Sequence, residues 1–266
     1  MRPTVHYLME TEAHVYALAV SASVLLAFYP FLTVMMAICR DVLHWHAAEQ
    51  SIYLAINDLF AGKAGKFIAY NISVDWRIGK LHLAAIFLLL FTANGIFEPM
   101  EVALNRAWGV TANRTYLKNQ AISLGLILAC GGLVLLSLLL TAIGEQVMSG
   151  ATGILGHVAG FVERLLFKLA AVPVSMLALF LVYWLLPNRK IEPGRVAPVA
   201  IVVGLILEAL KYVNMLFADM LNTKLEREYN IFRYSVTILL WSFAGALVVL
   251  AGAHWTARRD TIDPLS

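Results

Sequence analysis

Charge is what this chain is short of. Asp, Glu, Lys and Arg make up 14% of its 266 residues, against about 25% in an average soluble domain. So little charge cannot cover the surface of a soluble protein of this length, which excludes an ordinary cytosolic enzyme and a disordered chain. The formal net charge of +3 is too mild for a polyanion partner, so nucleic acid is excluded as a ligand. Cysteine is equally scarce. Cys39 and Cys130 fall in separate apolar runs and in no metal-ligand spacing, so a disulfide framework and a thiolate metal site are both excluded, and both thiols are expected as small apolar filler. No cofactor is expected. Hydrophobic residues are plentiful, at 61% of the chain, and mean hydropathy is +0.76. A spanning helix needs about 20 apolar residues, and the chain holds several such runs.

The expected fold is all-α, a polytopic membrane protein with six transmembrane helices in one integral membrane domain over residues 1–266. The apolar runs lie at about 15–38, 81–97, 121–144, 165–186, 196–217 and 234–254. The first is too long for a signal-peptide core and is read as a retained span. Between the first and second spans, Ile52, Ile56, Leu59 and Phe60 recur at helical spacing. This predicts an amphipathic helical segment, either lying in the membrane interface or capping the bundle. The second span is expected to stop at Glu98-Pro99. Ala121, Gly125 and Ala129 form a small-residue stripe suited to a close helix contact, within the chain or across a homo-oligomer. Lys and Arg divide almost evenly between the two sides. The compact basic loop at 188–195 tips the orientation towards cytoplasmic termini.

Ionisable residues at membrane depth are costly and mark candidate sites. Glu208, Lys211, Tyr212, Met215, Asp219 and Asn222 fall on one side of the fifth span at about 100° per residue. Glu208 and Lys211, three apart, can pair. They read either as the lining of a substrate pathway or as a structural ion pair. Asn94, Glu98 and Glu101 share a helical face beside Pro99, where a carboxylate next to freed carbonyls suits a cation, a proton or the headgroup zone. Pro30 predicts a kink in the first span, as a hinge or a static bend. Arg106 and Trp108 suit an interface anchor, and Asn105 could tie a loop to the bundle. His44 and His46 read as interfacial loop residues, and His254 as a snorkelling residue beside Trp255.

Three segments carry a resemblance. They are Tyr16–Ala19 with Phe28-Tyr29-Pro30-Phe31-Leu32, Asn94–Glu98 running through Ala103-Leu104-Asn105-Arg106-Ala107-Trp108, and Leu239-Leu240-Trp241 through Ala251-Gly252-Ala253. In order and spacing the chain resembles the YihY / virulence factor BrkB family of bacterial inner-membrane proteins, once labelled ribonuclease BN. The resemblance implies a multi-pass protein of the inner (cytoplasmic) membrane with a transporter-like or envelope role. It also gives Trp241 a structural part. No cluster of His, Asp and Glu supports the ribonuclease label, so the chain is not expected to be an enzyme. The resulting expectation is a bundle that moves a lipid, small solute or ion, with membrane lipids as partners. The alternative is a non-transporting envelope-assembly or structural factor.

Overall fold

The computed structural model describes residues 2–60, 63–75, 82–111, 114–148 and 172–262, and every regular element among them is helical. A short N-terminal helix, α1 (Arg2–Glu10), leads into α2 (Ala13–Ala37), which ends in a π-helical turn at Ile38–Val42. Two helices follow, α3 (His46–Leu59) and α4 (Lys63–Asp75). Long helices α5 (His82–Ala107) and α6 (Tyr116–Met148) come next. After the short apolar α7 (Val172–Leu185) come α8 (Pro193–Tyr229) and, beyond a 3-10 turn at Asn230–Phe232, α9 (Arg233–Ile262).

Among the described residues, five helices are long and apolar enough to cross a membrane: α2 with its π turn, α5 from Ala85, α6 over Leu117–Leu136, α8, and α9 to Ala257. The chain is therefore a polytopic helical membrane protein. The span expected at about 165–186 is described only over Val172–Leu185, too short a stretch to cross by itself, and its first part lies outside the described residues. Residues 149–171, which join α6 to that stretch, lie outside the described residues.

Several boundaries moved outward. The second span does not stop at Glu98-Pro99, because α5 runs on to Ala107. Pro99 removes one backbone donor, but Met100, Ala103 and Leu104 beyond it are buried in the main core. Close packing of these side chains against neighbouring helices offsets one lost hydrogen bond of about 1 kcal/mol. Pro30 is likewise accommodated inside an unbroken α2. The fifth span extends to Tyr229, giving a 37-residue helix. The polar residues ahead of the first span form α1.

Among the described residues, two apolar cores hold the bundle. The first gathers Ala17 and Val20 of α2, Leu104 of α5, Leu126 of α6, Tyr183 of α7, Val196 and Val203 of α8, and Leu250 of α9. The second lies along the later half of α2. Leu32, Met35 and Met36 meet Ile52, Ile56 and Phe60 of the α3 region, Ile68 and Ile72 of α4, and Tyr234 and Ile238 of α9. The segment predicted between the first two spans is thus a pair of helices with its apolar face in a core. A β-carbon on Gly65 would strike the Phe60 carbonyl, so that turn needs glycine.

The end of the bundle carrying both described termini is closed by long-range contacts. The Trp255 indole N–H donates to Thr4 Oγ1 at 3.0 Å, and Tyr7 stacks on His254 with ring centroids 4.3 Å apart. His254 therefore packs under α1 rather than snorkelling into solvent. Burial raises the Tyr7 hydroxyl above its ordinary titration range. Among the described residues, the stripe Ala121, Gly125, Ala129 makes no close contact. Ala121 and Gly125 are exposed, and a β-carbon on Gly125 would meet nothing within 4 Å. The buried face of α6 is instead that of Ser123 and Leu126.

Candidate functional site: an apolar cleft and the polar layer beside it

The two cores leave a gap between them, in the middle of α2. An open cleft of about 250 Å³ lies there between α2, α5 and α6. Phe28 and Phe31 of α2, Leu89 and Phe97 of α5, and Ile127 and Gly131 of α6 line it. Cys130 lines it too, and neither cysteine is in a disulfide. None of its lining residues is charged. Pro30 sits between the two aromatic residues that α2 contributes. Proline there leaves the Leu26 carbonyl without its helical donor, so one backbone restraint on α2 is missing beside the cleft.

One turn beyond Phe97 the chemistry changes. Glu101 is 6% exposed and Asn105 8%. The Asn105 amide nitrogen lies 3.5 Å from Glu101 Oε1, while Glu101 Oε2 is shut off from solvent with no donor. The backbone N–H of Asn188, in the α7–α8 loop, donates to Asn105 Oδ1 at 2.7 Å. That loop is therefore tied to α5. Trp108, expected at the interface, is buried at 8%, and the Arg189 guanidinium sits 5.7 Å from its ring centroid. Arg106 stays exposed and donates to the Thr11 carbonyl at 3.2 Å, fixing the α1–α2 corner.

Sequence reasoning missed the most heavily bonded side chain of this layer. Arg114, in the α5–α6 connection, donates to the carbonyls of Leu185 (3.2 Å), Leu186 (3.3 Å) and Pro187 (2.5 Å). These are the free carbonyls at the C-terminal end of α7, stranded because Pro187 cannot continue the helix. Burial pushes the Arg114 guanidinium down from its ordinary value, and the nearby Glu101 carboxylate pushes it back up. The only sequence signal was a proline leaving carbonyls open, and that does not say which donor comes to meet them.

The remaining candidates are dispersed. Glu98 is exposed and Asn94 half-buried, so of the three residues on that face only Glu101 turns fully inward. On α8, Lys211 Nζ lies 3.8 Å from Glu208 Oε2, both partly exposed. Tyr212, Met215 and Asp219 of the same stripe are exposed, and none of the six lines the cleft. Trp241 is half-buried, and its indole nitrogen is shut off without an acceptor. His46 Nδ1 lies 3.5 Å from Glu49 Oε1 at the start of α3, a carboxylate partner the sequence reading overlooked. Among the described residues, no group of three or more His, Cys, Asp or Glu could hold a metal ion.

The profile of the virulence factor BrkB family matches residues 4–263. A UPF0761 membrane protein of Acinetobacter baylyi is 26% identical over 246 residues, covering 89% of this chain and 56% of that protein. One from Chlorobium chlorochromatii is 23% identical over 239 residues, covering 87% and 52%. One from Pseudoalteromonas translucida is 25% identical over 205 residues, covering 74% and 60%. The chain spans about half the length of the curated relatives it matches. No solved structure matches it. With a polytopic helical fold and a family match running almost from end to end, the chain belongs to the virulence factor BrkB family of membrane proteins.

Proposed function

We propose that this protein takes the hydrocarbon part of a membrane lipid into the α2–α5–α6 cleft and moves the lipid along the bundle, without enzymatic chemistry, in a bacterial inner membrane with both termini in the cytoplasm. The observation that carries this reading is the cleft itself, open and lined by aromatic and aliphatic side chains. An ion pathway needs polar groups along it, and this cleft offers none. Pro30, beside Phe28 and Phe31, supplies a place where α2 can bend to widen it.

Gly131 gives a clean test. A β-carbon there meets nothing within 4 Å, so Gly131→Leu fills the cleft without displacing backbone. In liposomes carrying a fluorescent phospholipid, wild-type protein is expected to accelerate transfer between leaflets. Gly131→Leu is expected to reduce that rate at least tenfold with unchanged thermal stability. Equal rates for the two proteins would remove the cleft from the mechanism.

A second reading, a non-transporting envelope-assembly factor, is favoured by the α8 stripe. Tyr212, Met215 and Asp219 face outward, where a partner has access to them. On this reading the Glu208–Lys211 pair is structural. Lys211→Ala alone leaves a carboxylate without its cation and is expected to cost about 1–3 kcal/mol. The double change Glu208→Ala, Lys211→Ala is expected to cost less than the single one, with lipid transfer unaltered. Loss of transfer in a stably folded double variant would return these residues to the substrate pathway.

A further inference from the structure

We infer that the polar layer beside the cleft is a headgroup site for a phospholipid bearing a primary ammonium group. The inference rests on the lipid reading above and names the class of lipid. Phe97 of α5 and Ile127 of α6 both line the cleft, and only residues 108–115 separate the end of α5 from the start of α6, so the chain doubles back at that end. Glu101 therefore lies one turn beyond the cleft on α5, and Asn119 two turns beyond it on α6, both towards the same end.

Each presents a buried acceptor that meets no donor among the described residues. Glu101 Oε2 and Asn119 Oδ1 are both closed to solvent without a hydrogen-bond donor. Buried acceptors in proteins are almost always satisfied, so two orphans flanking one end of an apolar cleft call for a donor-bearing ligand. An –NH₃⁺ group has three donors and the charge that complements Glu101. A third orphan is of the opposite kind. The Trp108 indole N–H is buried without an acceptor and stands beside Arg189, a setting that suits a phosphate oxygen.

The Arg114 guanidinium sets a limit on the ligand. It sits near Glu101 with its donors committed to the carbonyls of Leu185, Leu186 and Pro187. Its charge opposes a bare amine, but a head that brings its own phosphate is not penalised in the same way. The ligand is thus a zwitterionic aminophospholipid and not a free amine.

Phosphatidylethanolamine and phosphatidylcholine separate the possibilities, because they share phosphate and net charge but only the first has ammonium N–H donors. The purified full chain in nanodiscs would be titrated with spin-labelled forms of each lipid. The expected result is at least a fivefold preference for the ethanolamine lipid. That preference should shrink towards unity in Glu101→Gln and in Asn119→Leu, and free ethanolamine should not compete. Gly131→Leu should weaken both lipids alike. Equal binding of the two lipids by wild-type protein would overturn the headgroup assignment while leaving the cleft reading in place. Binding of neither would overturn both. Because Glu101→Gln removes a buried charge on which the fold itself can depend, Asn119→Leu serves as the independent variant: retained preference in that variant, with normal stability, also counts against the site.

Discussion

Gly252→Ala is expected to be among the most destabilising single-methyl additions in this chain. A β-carbon at residue 252 would fall on the hydroxyl of Tyr183 and on a methyl of Val203. That point is where α7, α8 and α9 meet. Tyr183 is fully buried and its hydroxyl donates to the Val249 carbonyl at 2.7 Å, so it cannot step aside without losing that bond. Val203 is also fully buried. Overpacking costs typically about 1–3 kcal/mol, and displacing a buried hydroxyl from its acceptor adds about 1 kcal/mol more. Gly252→Ala should therefore lose about 2–4 kcal/mol, read as a drop in the midpoint of thermal unfolding in detergent. The cause is checked by a cycle. Tyr183→Phe removes the hydroxyl that the new methyl strikes, so the double variant should be less unstable than the sum of the two singles. Strict additivity would mean that the clash lies elsewhere.

Arg114→Ala is the second large effect. The guanidinium serves three carbonyls at the broken end of α7, and its removal leaves them in a half-buried setting without donors. It also takes away the positive charge beside the buried Glu101. Stranding buried polar groups costs about 1–3 kcal/mol each when water cannot reach them, and partial access here brings the expected total to about 3–5 kcal/mol. Arg114→Lys should recover only a minor part of this, because an ammonium on a flexible stem does not reproduce a planar fork of donors. The measurement is urea unfolding or thermal aggregation of the two variants beside wild type. Proteolysis within 186–192 should speed up first, since that loop would lose its contacts to Arg114 and keep the Asn188–Asn105 bond, the Trp184–Ile191 bond and the Arg189–Trp108 contact. A lysine variant as stable as wild type would show that charge alone sustains the contact.

The two predictions depend on features of very different legibility. The spans could be read from apolar runs because the requirement is one of length and composition. The α3 face could be read from Ile52 and Ile56 at helical spacing, and the Glu208–Lys211 pair from a three-residue interval. Each is a local signal. The α1 contacts could not be read, because Thr4 and Trp255 lie at opposite ends of the chain and α1 is too polar to advertise a buried role. Nor could the passage of α5 through Pro99, where the gain comes from neighbours packing on Met100 and Leu104. The cleft is invisible in a sequence for a simpler reason. Phe28, Phe31 and Ile127 look the same whether they fill a core or border a gap, and only the spacing of the helices decides. Arg114 illustrates the hardest class, a side chain whose partners are backbone carbonyls more than 70 residues away and therefore carry no residue identity at all.

The length of α8 has a mechanical consequence. At 1.5 Å per residue its 37 residues form a rod of about 55 Å, in a hydrocarbon layer of about 30 Å. Its first half is clamped, with Val196, Val199, Ala200 and Val203 buried in the main core. Its far turns carry Lys224, Glu226, Arg227 and Glu228. Glu226 is paired with Arg233 at the head of α9 at 2.5 Å, so the tip of one rod is pinned to the root of the next. The tip and the buried half belong to one unbroken helix. Gly204, in the buried half, has Met176 of α7 packed close against it. The ion pair that joins α8 to α9 therefore stands about six turns of helix away from the close contact that holds α8 to α7.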